Sequence, residues 1–325
     1  MSFFYIYTIM KKQIERTILH IRDLERRLNE ADNNLRYIKI VQALKKSLDK
    51  LYSLLLRDTA LQREYQSTKL LSSFILIDCQ RITLKPPYFC IHHAFSTISC
   101  KDWQNGRALQ ETTVRVMKEV ASAHKDTGWG GTFYKWLFVY PVPKPYNGYG
   151  NGAGMRVSPV GWVADSEAEV KRLSRLVTEI SHSHPEGIKG AECVAMAVYL
   201  ARTGKSKTEI KARLTREYYP ELADMTLDGI RPNYEIDDDG KWVTCQGSIP
   251  QAMTAFFEGE NFEDCIRGAI SIGGDADTIG CMTGAVAEAF YGVPYEMEAE
   301  ALARLSDDLK SIYYAFETLK KPRVK

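Results

Sequence analysis

At 325 residues, 45% hydrophobic and 26% charged, the chain has the composition of a folded protein of one large or about two ordinary domains, which excludes disordered, collagen-like and low-complexity classes. Its 43 Lys+Arg against 41 Asp+Glu leave a net charge of +2, too balanced for electrostatic nucleic-acid binding. The apolar run Ser2 to Met10 falls far short of the roughly 20 residues of a membrane span. It also lacks the basic flank and small-residue cleavage site of a signal peptide, so a cytoplasmic protein without membrane partners is expected.

In chain order, the first element is a charge-rich helical segment over 11–57. Ile14, Ile21, Leu28 and Leu35 recur every seven residues, with Leu24 and Ile38 between them, a heptad pattern. Beyond Ala31-Asp32-Asn33-Asn34 the register slips, and Val41, Leu44, Leu48, Leu51 and Leu55 carry a second stripe. Either two helices form a hairpin or one long helix carries a register break. Residues 1–70 hold 14 Lys+Arg and 8 Asp+Glu, a net +6, whereas the remainder is net −4. This segment is read as a coiled-coil-like unit, either self-associating or lying on the main domain as a solvated hairpin. Residues 71–107 show no periodicity, and Lys85-Pro86-Pro87 breaks any regular element. They are read as an irregular linker or degenerate region.

From residue 108 to 325 the pattern is helical. Stripes run over 114–123, 167–180, 187–202, 207–214, 251–257, 262–271, 277–291 and 301–319. Gly204 and Gly292 suit helix C-termini, and Pro250 suits a first helical position. A short hairpin is expected around Asp237-Asp238-Asp239-Gly240, its strands at 233–236 and 241–245. No βαβ alternation appears, so the fold class is all-α. The seven cysteines are odd in number and contain no C-x-x-C pair, which suits reduced thiols rather than a disulfide framework or zinc site. Cys193, Cys265 and Cys281 fall in apolar helical patterns, as small buried hydrophobes do.

Three short segments carry chemistry. Gly273-Gly274-Asp275-Ala276-Asp277-Thr278 precedes an apolar helix and offers two carboxylates and a hydroxyl. These are hard oxygen donors of the kind Mg²⁺, Mn²⁺ or Ca²⁺ prefers; the competing reading is that an Asp merely caps the helix. The run from Tyr146 to Arg156 has four glycines within seven residues. Such a backbone can approach a ligand and present N–H groups to phosphate or sugar, or else serve as a flexible surface loop. His182 and His184 stand at a break between two helical stripes, where an imidazole can hydrogen-bond a ligand or hold a helix end.

Taken in order, these segments resemble one family. WGGTFYKWL (129–137), GNGAGMRVSP (150–159), HSHPEGIKGA (182–191), ARTGKSK (201–207), CQGSIPQA (245–252), SIGGDADT (271–278) and GAVAEAFYGVP (284–294) are similar to those of the ADP-ribosylglycohydrolases, including the dinitrogenase-reductase-activating type. The resemblance covers about 108–317. It implies a compact multi-helix domain with two Mg²⁺ ions (Mn²⁺ in some members) at the base of an ADP-ribose cleft. It further implies hydrolysis of the glycosidic bond between ADP-ribose and a protein side chain or related acceptor. By position, Asp275, Asp277 and Thr278 would form half of the metal cage. Asn147, Gly148, Tyr149, Asn151 and Gly152 would cradle the diphosphate and ribose, and His182 would contact ADP-ribose. Met155 and Arg156 would support the loop.

One departure qualifies that expectation. The family's early Gly-Asp helix start and its Thr-Asp-Asp-Thr motif have no counterpart before residue 108, where no Asp-Asp pair occurs. The N-terminal part of the family fold is therefore expected to be missing. Two readings stay open: an active hydrolase that draws its remaining ligands from residues such as Asp58, Asp78 or Asp102, or a degenerate member that binds ADP-ribose without turnover, its N-terminal helices making protein contacts.

Overall fold

Helix start signals written in the sequence are used as such. Ser166 accepts the Glu169 N–H with Glu167 and Glu169 in the first turn, and Ser206 and Glu209 exchange hydrogen bonds in a full capping box, which places side-chain acceptors and negative charge where helix N–H groups are unpaired. Asn261 does the same for Asp264.

The computed structural model describes residues 86–99, 102–125, 129–232, 234 and 240–324, all within the unit Ile75–Lys325. The heptad segment 11–57 lies outside them, as do Asp58, Asp78 and the turn 235–239. The helices are α1 (Pro86–Thr97), α2 (Gly106–Ala123), α3 (Gly131–Tyr134), α4 (Gly152–Met155), α5 (Ser158–Val163), α6 (Glu167–Glu179) and α7 (Pro185–Arg202). Then come α8 (Lys207–Glu217), α9 (Leu227–Ile230), α10 (Cys245–Glu258), α11 (Phe262–Ser271), α12 (Ala276–Tyr291), α13 (Tyr295–Ala303) and α14 (Asp307–Glu317). Among the described residues there is no strand, only a single antiparallel bridge between Gly150 and Thr244. The class is all-α. No helix among them is long and apolar enough to cross a membrane.

The core is built around α7, which packs against α4, α5, α6, α10 and α12. Ala191, Cys193, Val194, Ala195, Met196, Ala197, Val198, Leu200 and Ala201 along it are all buried; a helix apolar on every side belongs in the middle of a bundle. Arg202 ends it, donating from Nε to the Gly161 carbonyl at 3.0 Å and from Nη2 to the Ala164 carbonyl at 2.8 Å. Cys90, Cys193, Cys245, Cys265 and Cys281 are free and buried.

Four expectations change. Part of the stretch 71–107, read as irregular, is α1, whose Phe89, Cys90, Ile91, Ala94 and Phe95 are buried in the core against α2 and α14. Pro86 and Pro87 open this helix rather than break it, because the first-turn N–H groups have no intrahelical acceptor to lose. The expected strand 241–245 is instead a 3₁₀ turn, Lys241–Val243, followed by α10. Its backbone pairs with the glycine-rich loop, Cys245 N to the Tyr149 carbonyl at 2.9 Å. Pro250 lies inside α10, not at its start, because Thr244 caps that helix six residues earlier by accepting the Gly247 N–H at 3.1 Å. The 301–319 stripe divides into α13 and α14, since Ser306 takes extended dihedrals ahead of Asp307 and Asp308, a helix start in mid-stripe. Gly292, at φ +83°, closes α12 as expected.

Candidate functional site

The glycine-rich loop is clamped from two sides. On one, Tyr146 N donates to the Ser181 carbonyl at 3.1 Å and Asn147 N to Ser183 Oγ at 3.1 Å. On the other, Asn151 N donates to the Val243 carbonyl at 2.9 Å, beside the Cys245–Tyr149 bond. Asn147 takes a left-handed φ of +55°, which Asn tolerates better than most residues. Gly187, in the first turn of α7, is a close-approach position: a Cβ there would lie 2.6 Å from the Gly148 carbonyl oxygen. The loop therefore rests directly on the N-terminal turn of α7, and it is not a free surface loop.

Gly273 and Gly274 occupy left-handed conformations at φ +79° and +60°. Their turn delivers Asp275 to the N-cap position of α12, yet the Asp275 side chain makes no capping bond. Its Oδ2 instead accepts from Asn151 Nδ2 at 2.6 Å. The same amide donates to Ser248 Oγ at 2.9 Å, and Ser248 in turn donates to the Trp242 carbonyl at 2.8 Å. Asp277 Oδ1 accepts the Thr278 N–H at 2.9 Å. Thr278 is buried, its hydroxyl 3.8 Å from Met155 Sδ, and the Met155 carbonyl accepts from Cys281 Sγ at 3.5 Å. Thus Asn151 and Asp275 meet where α4 packs against α12, with Asp277 and Thr278 in the first turn of α12 and Met155 beneath Thr278.

His182 stands on the other flank of the loop. Its Nε2 is 3.6 Å from where a Gly150 Cβ would be and 4.0 Å from that of Gly152, so the ring faces the loop backbone. Its Nδ1 is 3.1 Å from Arg156 Nη2 and 3.0 Å from Ser181 Oγ. The Tyr146 hydroxyl lies within hydrogen-bond distance of both ring nitrogens, at 3.3 Å from each. Burial, then the Arg156 charge, holds the His182 pKa well below the ordinary imidazole value, so the ring is neutral at neutral pH. Burial pushes the Tyr146 phenol up to about 12. His184 caps α7 by accepting the Glu186 N–H at 3.1 Å and packs against the Tyr149 ring at 4.9 Å.

The described structure thus brings Asn147, Gly148, Tyr149, Asn151 and Gly152 into one segment with His182 on one side and Asp275, Asp277 and Thr278 on the other. Ser181, Ser248, Tyr146 and the Trp242 carbonyl complete the polar lining; Tyr146 and Ser248 lie within motifs the sequence offers, but their roles come from partners elsewhere, Ser248 from Asn151 and Tyr146 from Ser181 and His182. Asp102 is not brought to this point. It is exposed, accepts from Ser99 Oγ at 2.6 Å and opens a 3₁₀ turn packed on α2.

The model of the ADP-ribosylglycohydrolase family matches residues 57–320, reaching well upstream of 108 into the stretch with no legible motif. The ADP-ribosylhydrolase ARH3 of Danio rerio is 26% identical over 259 residues, covering 64% of this chain and 66% of that protein. ARH3 of Mus musculus is 28% identical over 250 residues, covering 58% of this chain and 68% of that protein. The match thus spans about two thirds of the length of these relatives. A solved structure titled ADP-ribosylglycohydrolase-related protein complex aligns with a TM-score of 0.45 at 19% identity, covering 75% of this chain and 99% of that one. With the family model matched over most of its length, the chain belongs to the ADP-ribosylglycohydrolase family.

Proposed function

We propose that this chain hydrolyses the glycosidic bond of ADP-ribosylated proteins or related ADP-ribose conjugates, releasing ADP-ribose, in a reaction that requires Mg²⁺ or Mn²⁺. The observation that carries this reading is the 2.6 Å bond between Asn151 and Asp275. It ties a loop suited to diphosphate and ribose to a turn that presents carboxylates, which is what a phosphate-bearing glycoside and a divalent cation together require.

The donor set fits one side of such a cation. Asp275, Asp277 and Thr278 supply hard oxygens, the donor type that Mg²⁺ selects. Among the described residues no three His, Cys, Asp or Glu side chains gather, so further carboxylates would come from outside them, where Asp58 and Asp78 lie. When bound, a divalent cation would engage ribose hydroxyls and orient water. The protein's own share is positioning. The backbone of 147–152 follows the diphosphate, Asn151 orients the Asp275 carboxylate, and neutral His182 donates a hydrogen bond without adding a second charge. The free thiols suit a reducing compartment such as the cytoplasm.

Calorimetric titration of ADP-ribose into the protein, with Mg²⁺ and again with EDTA, tests the reading before any acceptor is known. Binding that requires Mg²⁺, with release of ADP-ribose from a conjugate abolished in Asp275→Ala and Asp277→Ala, is expected. Binding that ignores EDTA, without turnover, would make the chain an ADP-ribose-binding protein instead. Unchanged release in both variants would remove these carboxylates from the cation site.

A further inference from the structure

Arg156 is 2% exposed, one residue beyond α4 and below the glycine-rich loop. A buried cation is ordinarily paired with a carboxylate, because desolvation is costly otherwise. Here, among the described residues, no ion pair reaches it. Its titratable neighbours are the Tyr146 hydroxyl and the thiols of Cys90 and Cys245, all of which burial keeps in the neutral form. Its Nη2 donates to Ser181 Oγ at 2.7 Å, its guanidinium lies over the Phe133 ring at 5.2 Å, and its buried Nε has no hydrogen-bond partner. Its Nη1 is 3.9 Å from where a Gly152 Cβ would be.

A guanidinium only donates hydrogen bonds and keeps its charge under all ordinary conditions. The Nη2 group 3.1 Å from His182 Nδ1 therefore requires a lone pair on that nitrogen. Ser181 is compatible with the same arrangement: its hydroxyl accepts from Arg156, and its own O–H can share the Nδ1 lone pair as a second donor, 3.0 Å away. With Nδ1 an acceptor, the one proton of a neutral ring sits on Nε2, the nitrogen that faces Gly150 and Gly152.

We infer that Arg156 is a positioning residue. From beneath the loop it fixes His182 as a neutral imidazole whose Nε2–H points at the ligand, while its unpaired charge lies under the segment that takes the diphosphate. The inference rests on the reading of this loop as an ADP-ribose site only for the identity of the ligand; the tautomer is a property of the free protein. It also explains why Arg, and not a smaller cation, stands here. The planar fork serves the serine and the histidine at once, which a single ammonium cannot do with the same geometry.

Long-range ¹H–¹⁵N spectra of the histidine side chains, assigned by comparison with His182→Gln, test this at neutral pH without ligand. The expected result is an unprotonated Nδ1 and a protonated Nε2 for His182. A protonated Nδ1, or a doubly protonated ring, overturns the inference. In Arg156→Met the ring is expected to lose its single tautomer and ADP-ribose affinity to fall about tenfold, the scale of one lost charge-assisted hydrogen bond, with Arg156→Lys between the two. A folded Arg156→Met that keeps both the tautomer and the affinity also overturns it. Should Arg156→Met fail to fold, the wild-type spectrum decides alone, with Ser181→Ala expected to leave the Nε2–H form in place. Should ADP-ribose not bind the wild type, the proposed function falls and the spectrum still decides the role of Arg156.

Discussion

Asn151 and Asp275, 124 positions apart in the chain, share a 2.6 Å hydrogen bond in which the amide donates to the carboxylate. The bond takes Asp275 away from capping α12, the commonest occupation of an aspartate at that position. Of the readings the local sequence leaves open, capping of α12 by Asp275 is thereby excluded. The carboxylate is held by its neighbour across the site, not by its own helix.

The first prediction follows from that bond. Asn151→Ala leaves Asp275 Oδ2 and Ser248 Oγ without their shared donor. Groups that hydrogen-bond a metal-ligating carboxylate typically contribute about 10–100-fold; with Asp275 as a cation ligand, as proposed, a loss of that size in ADP-ribose release is expected, with the melting temperature nearly unchanged. Release at the wild-type rate would mean that the orientation of Asp275 does not limit the reaction.

A second concerns the loop's footing. Gly187→Ala places a methyl 2.6 Å from the Gly148 carbonyl oxygen and 3.3 Å from His182 Cβ. The backbone carbonyl cannot swing aside as a side-chain end would, so the loop must lift off α7. Overpacking of this kind costs about 1–3 kcal/mol. The variant is expected to weaken ADP-ribose binding more than it lowers stability, as read by calorimetry beside urea unfolding.

The state of His182 makes stability depend on pH with a definite sign. Burial holds its folded pKa well below 6.5, so below 6.5 the unfolded chain binds a proton that the folded chain refuses. Stability is full above that value and is lost as pH falls, by at most about 1.4 kcal/mol per pH unit for this group. His93, half-buried, is shifted in the same direction by desolvation, so the comparison must isolate one ring. Urea unfolding at pH 7 and pH 5.5 should show a steeper decline for wild type than for His182→Gln. Parallel declines would mean that His182 is not buried in its neutral form.

Lys207 supplies a prediction remote from the loop. Its Nζ donates to the carbonyls of Phe256 at 2.6 Å and Phe257 at 3.3 Å, and to that of Gly259. It also lies over the rings of Phe256 and Tyr291 at 4.9 and 5.2 Å. It thus satisfies the unpaired C-terminal carbonyls of α10. Lys207→Met should lower unfolding free energy by about 1–3 kcal/mol, the cost of leaving such acceptors unmet, with ADP-ribose binding unchanged. A variant as stable as wild type would mean that water replaces the ammonium at no cost.

Much of this molecule follows from local sequence rules. Helix starts such as Ser166 and Ser206, and the stop at Gly292, are set by side chains within three or four residues, so short-range chemistry suffices to find them. The family motifs are legible for a related reason: a glycine-rich loop and a G-G-D-x-D turn carry their conformational demands in their own residue types. Where the determining partner is distant, the local pattern misleads. Pro86-Pro87 reads as a breaker until α1 is seen to bury Phe89, Ile91 and Phe95 against α2. The segment 241–245 reads as a strand because it follows a turn-forming Asp-Asp-Asp-Gly run, but its partner is the loop at Tyr149 to Asn151.

The sequence by itself determined the helical class, the family and the residue types at the site, because periodicity, caps and motif spacing are properties of neighbours along the chain. Only the tertiary structure decided what those residues do to one another. That Asp275 answers to Asn151, that a buried Arg156 sets the His182 ring, and that Gly187 must lack a side chain for the loop to rest on α7 are all contacts between segments tens of residues apart. Hydrogen bonds and van der Waals exclusion act over a few ångströms of space, whatever the separation along the chain.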